Sequence, residues 1–170
     1  SEITQKTGVY SNRFGSLLRA YELIGFKPER DFHYVEINKF LRKLHPEITQ
    51  QVISEMEKLN GANIQKDPLS DLIFINDEIN ISIVLTRCHT LSSGNSRWKV
   101  RFDTILNPDI TVIVRLDATN TTIKDYYLLP RLDFMCDKLS LGEFNPVELE
   151  SFRLENLNYL FGMAERVKWK

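Results

Sequence analysis

Metal-assisted hydrolysis needs carboxylates that converge on a divalent cation and activate a water. Asp71, Glu78, Asp103 and Asp109 are the acidic residues near predicted strand ends that could form such a group. Their ordinary reading is as turn and strand-end carboxylates, with Asp71 and Asp109 left as the nucleus of a nonstandard site. Nucleophilic chemistry finds less support. Ser16 sits where a helix N-cap is expected, and Tyr126 and Tyr127 lie in a strand ahead of Pro130, where packing explains them better. Cys88 and His89 are adjacent rather than spaced, and His33, His45 and Cys136 make no zinc pattern, so no metal or other cofactor is expected. Seven scattered glycines form no phosphate loop.

Cations offer a different chemistry. Arg87, Arg97, Lys99, Arg101 and Arg115 cluster around predicted strands. In an extended segment Arg97, Lys99 and Arg101 point to one face, and Trp98, Val100 and Phe102 to the other. Trp98 therefore reads as core. The three cations either track a phosphate backbone or form a solvated face paired with Asp103, Asp109 or Asp117. Asp117, Asn120 and Asp125 read as turn residues.

The elements that must position these groups run from helical to extended. Tyr10 to Phe26 reads as a helix end, a turn at Gly15 and a second helix with Leu17, Ala20, Tyr21 and Ile24 on one stripe, capped by Ser16 and stopped by Gly25. Val35 to Leu44 is expected to be helical, and Pro46 to open a further helix that turns Ile48, Val52, Ile53, Met56 and Leu59 inward and ends at Gly61. From Asp71 the period changes to that of strands: residues 72–75, 79–87, 97–102, 110–116 and 126–129. Ile110 to Leu116 is apolar enough to be buried on both faces. After Pro146 the chain is expected to be helical through Leu154, Leu157, Leu160 and Phe161. The expected fold class is α+β, with a helical hairpin of helix-turn-helix type followed by a sheet of five strands flanked by helices. Residues 1–30 would form the hairpin segment and 31–170 the α/β domain.

The chain of 170 residues is 42% hydrophobic and 26% charged, with a formal net charge of −1. No global electrostatic attraction to nucleic acid follows, so a DNA surface must be a local patch. Residues 1–45 hold eight Lys or Arg against five Asp or Glu, a mild excess. No apolar run approaches the roughly 20 residues of a membrane span. Two distant cysteines and no signal-peptide pattern give the expectation of a reduced, cytoplasmic protein. Residues 1–9 leave no room for the supporting first helix of a three-helix unit, and a piece of a longer protein is expected.

The string Arg13-Phe14-Gly15-Ser16-Leu17 with Ala20-Tyr21 and Ile24-Gly25-Phe26 resembles a repeat in the C-terminal regions of bacterial serine-recombinase-family proteins, the resolvase and invertase class, and repeats attached to homing endonucleases. A second block resembles the same tails: Ser96 to Asp103, Pro108 to Val112, Arg115-Leu116-Asp117, Asn120 and Asp125 to Pro130. The strand order also resembles a restriction-endonuclease-like core. Active members of that class carry one carboxylate near the second strand and an acidic residue with Lys two positions later on the third. Asp71 matches the first, but Leu85-Thr86-Arg87 stands where Glu-x-Lys is expected, and no lysine of the chain has Asp or Glu two residues before it.

The resulting expectation is a non-catalytic, DNA-binding accessory region of a recombinase-like protein from a mobile genetic element. Arg13, Ser16, Arg19, Arg97, Lys99 and Arg101 would contact DNA, and the catalytic domain of the parent protein would be a further partner. Its nucleophile would lie outside these residues. Two alternatives stand beside it: a metal-dependent nuclease with a degenerate site around Asp71 and Asp109, and an interaction module, as an oligomer or otherwise, that positions a catalytic partner.

Overall fold

The structure is a computed structural model that describes residues 33–167. The helical hairpin expected at residues 8–25, with Arg13, Ser16 and Arg19, lies outside the described residues. Leu41–Lys170 forms one compact unit, and it holds every strand.

The class is α+β, as expected, with three layers. Helix α1 (His33–Glu57) precedes strands β1 (Ile64–Lys66), β2 (Ile73–Ile75), β3 (Ile79–Thr86), β4 (Cys88–Thr90), β5 (Ser96–Arg101), β6 (Ile110–Leu116), β7 (Ile123–Pro130) and β8 (Lys138–Gly142). Helix α2 (Val147–Glu150), strand β9 (Arg153–Leu154) and helix α3 (Asn158–Ala164) complete the chain. A six-stranded sheet has the order β1-β2-β3-β6-β7-β9, and a second sheet of three strands has the order β4-β5-β8. Within the larger sheet β6 runs parallel to β3 and every other neighbour is antiparallel. The hairpin-connected β2 and β3, the buried β6 and the Tyr-Tyr-Leu-Leu-Pro strand β7 thus share one mixed sheet.

Two expectations about elements are corrected. The helix does not break before Pro46, which lies inside α1. Proline removes one backbone hydrogen bond, but here the flanking residues are held from outside: Leu44 packs on the core, and His45 Nε2 donates to the Ile83 carbonyl at 2.8 Å. The strands expected in one sheet are also divided between two, with β5 in the smaller sheet, and four further strands join them. β1, β4, β8 and β9 are two to five residues long, too short to show a period, and the segment after Pro146 divides into α2, β9 and α3.

Alternation along the strands sorts side chains into two cores. Val112 and Val114 of β6, Ile81 and Ile83 of β3 and Leu128 of β7 face Ile48, Val52, Ile53 and Met56 of α1 and Leu160 of α3. On the opposite face Ile113, Tyr127 and Leu129 meet Cys88, Trp98, Val100 and Leu141 of the three-stranded sheet. β6 is therefore covered on both sides, as its composition implies. The turn between β2 and β3 uses Asn76 and Asp77 at φ of 55° and 58°, a left-handed backbone that Asn and Asp tolerate.

Between the sheets lies a charge. Arg115 is fully buried, and Asp125, opposite it in the β6–β7 register, is nearly so. Arg115 Nε donates to Asp125 Oδ1 at 2.7 Å and Nη2 to Oδ2 at 2.6 Å, while Nη1 reaches the Gly142 carbonyl of β8 at 2.6 Å. The guanidinium carbon lies 4.4 Å from the centre of the Trp98 ring and 5.0 Å from that of Tyr127. Trp98 Nε1 in turn donates to the Leu116 carbonyl at 2.8 Å. Asp125 is thus a buried counter-charge and not a turn residue, and Arg115 is not a surface cation. Burial opposes the charged guanidinium, but the Asp125 hydrogen bonds and charge, with Tyr127 and Glu143, outweigh it and raise the Arg115 pKa. Burial likewise pushes the Tyr127 phenol up to about 12.

Asp125→Ala leaves the guanidinium without its counter-charge, and the expected loss of stability is about 3–5 kcal/mol. Denaturant unfolding measures it. A loss below about 1 kcal/mol, the range of exposed ion pairs, would show that the pair is not buried as described.

Candidate nucleic-acid interface

The inward side of β5 is fixed by Trp98 and Val100, each only 1% exposed. Arg97, Lys99 and Arg101 must then face away from the core, as the alternation in the sequence implies. Register extends the basic surface to the neighbouring strands: His89 is opposite Arg97, Lys99 opposite Ser140, and Arg101 opposite Lys138. Arg87 precedes β4 by one residue and shares the outward phase of His89. None of the three strands contains Asp or Glu.

The carboxylates considered as partners for these cations are engaged elsewhere. Asp103 Oδ1 accepts from the amides of Ile105 and Leu106 within its own turn. Asp109 Oδ2 accepts from the Asn80 amide at 2.9 Å, and its other oxygen lies 3.8 Å from Arg131. Asp117 closes the β6–β7 turn by accepting from the Thr119 hydroxyl and the Thr121 and Thr122 amides. The Thr119 hydrogen bond above all holds its carboxyl down at about 2. Asn120, read from sequence as a turn residue, also clamps β4 by accepting from the Cys88 amide and donating to the Cys88 carbonyl. Among the described residues, Lys99, Arg101 and Lys138 form no ion pair.

His89 registers the field of this face. Its pKa is lowered, first by partial burial and then by the positive charges of Arg87 and Lys99. Arg97 is partly sheltered: its guanidinium crosses Gly142, where a Cβ would come within 2.7 Å of Nη1. A side chain at 142 would displace the end of this guanidinium.

The candidate hydrolytic residues are not brought together. Asp71 precedes β2 with a φ of 59° and pairs with Lys66 at 3.0 Å. Asp109 precedes β6, on the other side of β3. Glu78 pairs with Arg166 at 2.5 Å. Among the described residues no group of three or more His, Cys, Asp or Glu is placed to hold a metal ion. Cys88 is buried and Cys136 exposed, and both are free thiols. Among the described residues no helix is long and apolar enough to cross a membrane.

Sequence reasoning found the central row, Arg97, Lys99 and Arg101, but not His89 and Lys138 beside it. Those residues join the face only through pairing across β4 and β8, strands too short to announce themselves.

Replacing Lys99 by Ala is expected to move the His89 titration midpoint upward, because one of the two cations that hold it down is removed. Proton NMR of the imidazole measures this, and an unmoved midpoint would mean that Lys99 does not share the face.

No protein-family model matches this chain. A search of curated proteins also gives no match. Among solved structures it is similar to a bacterial homing endonuclease, I-Ssp6803I, with a TM-score of 0.41 and 18% identity, covering 72% of this chain and 92% of that one.

Proposed function

We propose that this chain binds DNA and that the outer face of the three-stranded sheet is its phosphate-contacting surface. One observation carries this reading: Arg97, Lys99, Arg101 and Lys138, with Arg87 and His89, share a face whose strands contain no carboxylate, on a chain whose net charge is −1. Such a surface gathers counter-charge locally where the whole molecule does not. From Arg97 to Arg101 the strand extends about 13 Å, a length over which one strand of B-DNA presents about four phosphates along its axis. Contacts of this kind fix position on DNA and carry no sequence information.

Within this reading the chain serves as an accessory region of a serine-recombinase-family protein, which the two sequence blocks at 13–26 and 96–130 support. The catalytic domain of that protein is then a second partner, and Arg13, Ser16 and Arg19 add a separate contact. The free thiols suit a cytoplasmic location.

A metal-dependent nuclease would use the same surface to hold its substrate and would differ in cutting it. Asp71, beside Lys66 at the start of β2, is the carboxylate such a reaction would require first. Plasmid cleavage that needs magnesium or manganese and is lost in Asp71→Ala would establish the nuclease reading over the accessory one.

The test of the interface is fluorescence anisotropy with duplex DNA over a range of salt. Affinity is expected to fall steeply with salt. The triple variant Arg97→Ala, Lys99→Ala, Arg101→Ala should bind at least about tenfold more weakly, with a salt slope reduced by about 3, one unit for each phosphate contact removed. Full affinity in that variant, or no binding at low salt, would rule out the outer face as the DNA surface.

A further inference from the structure

The basic row ends at the Arg101–Lys138 register pair, and one further backbone bond, Phe102 N to the Asp137 carbonyl at 3.0 Å, closes the β5–β8 ladder. Immediately beyond it the layers separate. The loop between β5 and β6 and the loop between β7 and β8 enclose a cleft of about 830 Å³. Its inner wall is Phe102, Leu129 and Phe134, and Phe134 is held edge-on against Phe152 at 5.2 Å between ring centres. Asn107 and Thr111 add hydrogen-bonding groups to the lining, beside the carboxylates of Asp103 and Asp137. Arg131 ties the two loops by donating to the Asn107 carbonyl at 3.3 Å. At the lip stand Leu132 and Met135, 86% and 92% exposed.

We infer that this cleft receives one unpaired nucleobase of the DNA strand that the basic face holds. The inference rests on the DNA-binding reading and adds the class of DNA preferred. Three observations converge on it. The cleft begins one residue beyond the Arg101–Lys138 pair, on the inner side of the sheet, so a strand that runs off the end of the basic face brings a base to it. The wall joins aromatic rings to hydrogen-bonding groups, as recognition of an unstacked base demands. The volume lies in the range of small-molecule sites, ample for one base. A paired base cannot enter without leaving the duplex, so strands with an unpaired or extruded base are the preferred ligands.

The probe is a duplex carrying a single extrahelical 2-aminopurine, compared with the same duplex fully paired. The bulged probe is expected to bind about tenfold more tightly, within the range that stacking of one base provides, and its fluorescence to change on binding. Met135→Ser and Leu132→Ser alter exposed lip residues and leave the fold intact. They should bring the bulged probe down toward duplex affinity without changing duplex binding. Phe102→Ala, checked for folding by circular dichroism, should do the same more strongly. Equal affinity for the two probes with unchanged fluorescence, while salt-dependent duplex binding persists, would overturn the base site and leave the outer face standing. Absence of binding to either probe would overturn both.

Discussion

A charge between two sheets is the constraint on which the rest of this structure depends. Arg115 is taken wholly out of water, which is tolerable only because each nitrogen of its guanidinium has an acceptor. Asp125 meets it with two hydrogen bonds, the Gly142 carbonyl with a third, and the rings of Trp98 and Tyr127 cover its faces. These partners come from β5, β7 and β8, so one side chain of β6 aligns four strands in two sheets. An apolar contact could slide; this one has a single geometry. The network continues through Tyr127, whose hydroxyl donates to Glu150 at 3.1 Å, and through Asn145, which donates to the same carboxylate and to the Gly142 carbonyl.

That constraint reaches the surface through β5. Trp98 is fixed by its ring contact with Arg115 and by its hydrogen bond to Leu116, which determines the phase of the whole strand. A slip by one residue would turn Arg97, Lys99 and Arg101 inward and bury three cations. The buried charge thus specifies where the exposed charges stand. Thr86 adds a lateral tie by donating to the Lys99 carbonyl at 2.9 Å, holding the middle of the basic row against β3.

Much of this was legible in the residues. The alternation of 97–102 fixed the basic row and the inward Trp98, and the apolar run 110–116 implied a strand covered on both faces. Ile48, Val52, Ile53 and Met56 were recognisable as one buried helical stripe. Other features were hidden for physical reasons. Arg115 and Asp125 look like surface residues because burial of an ion pair depends on partners far apart in sequence. Pro46 signals a break that tertiary contacts on Leu44 and His45 override. Asn120 carried a turn signal, which is correct as far as it goes, while its grip on Cys88 across the sheet left no local mark. The carboxylates of a candidate hydrolytic site could be counted from sequence, but their separation by β3 required the topology.

The central claim is that the outer face of β4, β5 and β8 is where DNA lies. Amide chemical-shift mapping of the isotope-labelled protein, titrated with a short duplex at low salt, tests it most directly. Shifts concentrated at His89, Arg97, Lys99, Arg101 and Lys138, with β1 and β2 unmoved, are the predicted result. Shifts confined to the Lys66–Asp71 corner, with β5 silent, would contradict that claim and place the DNA at the β1 edge of the six-stranded sheet.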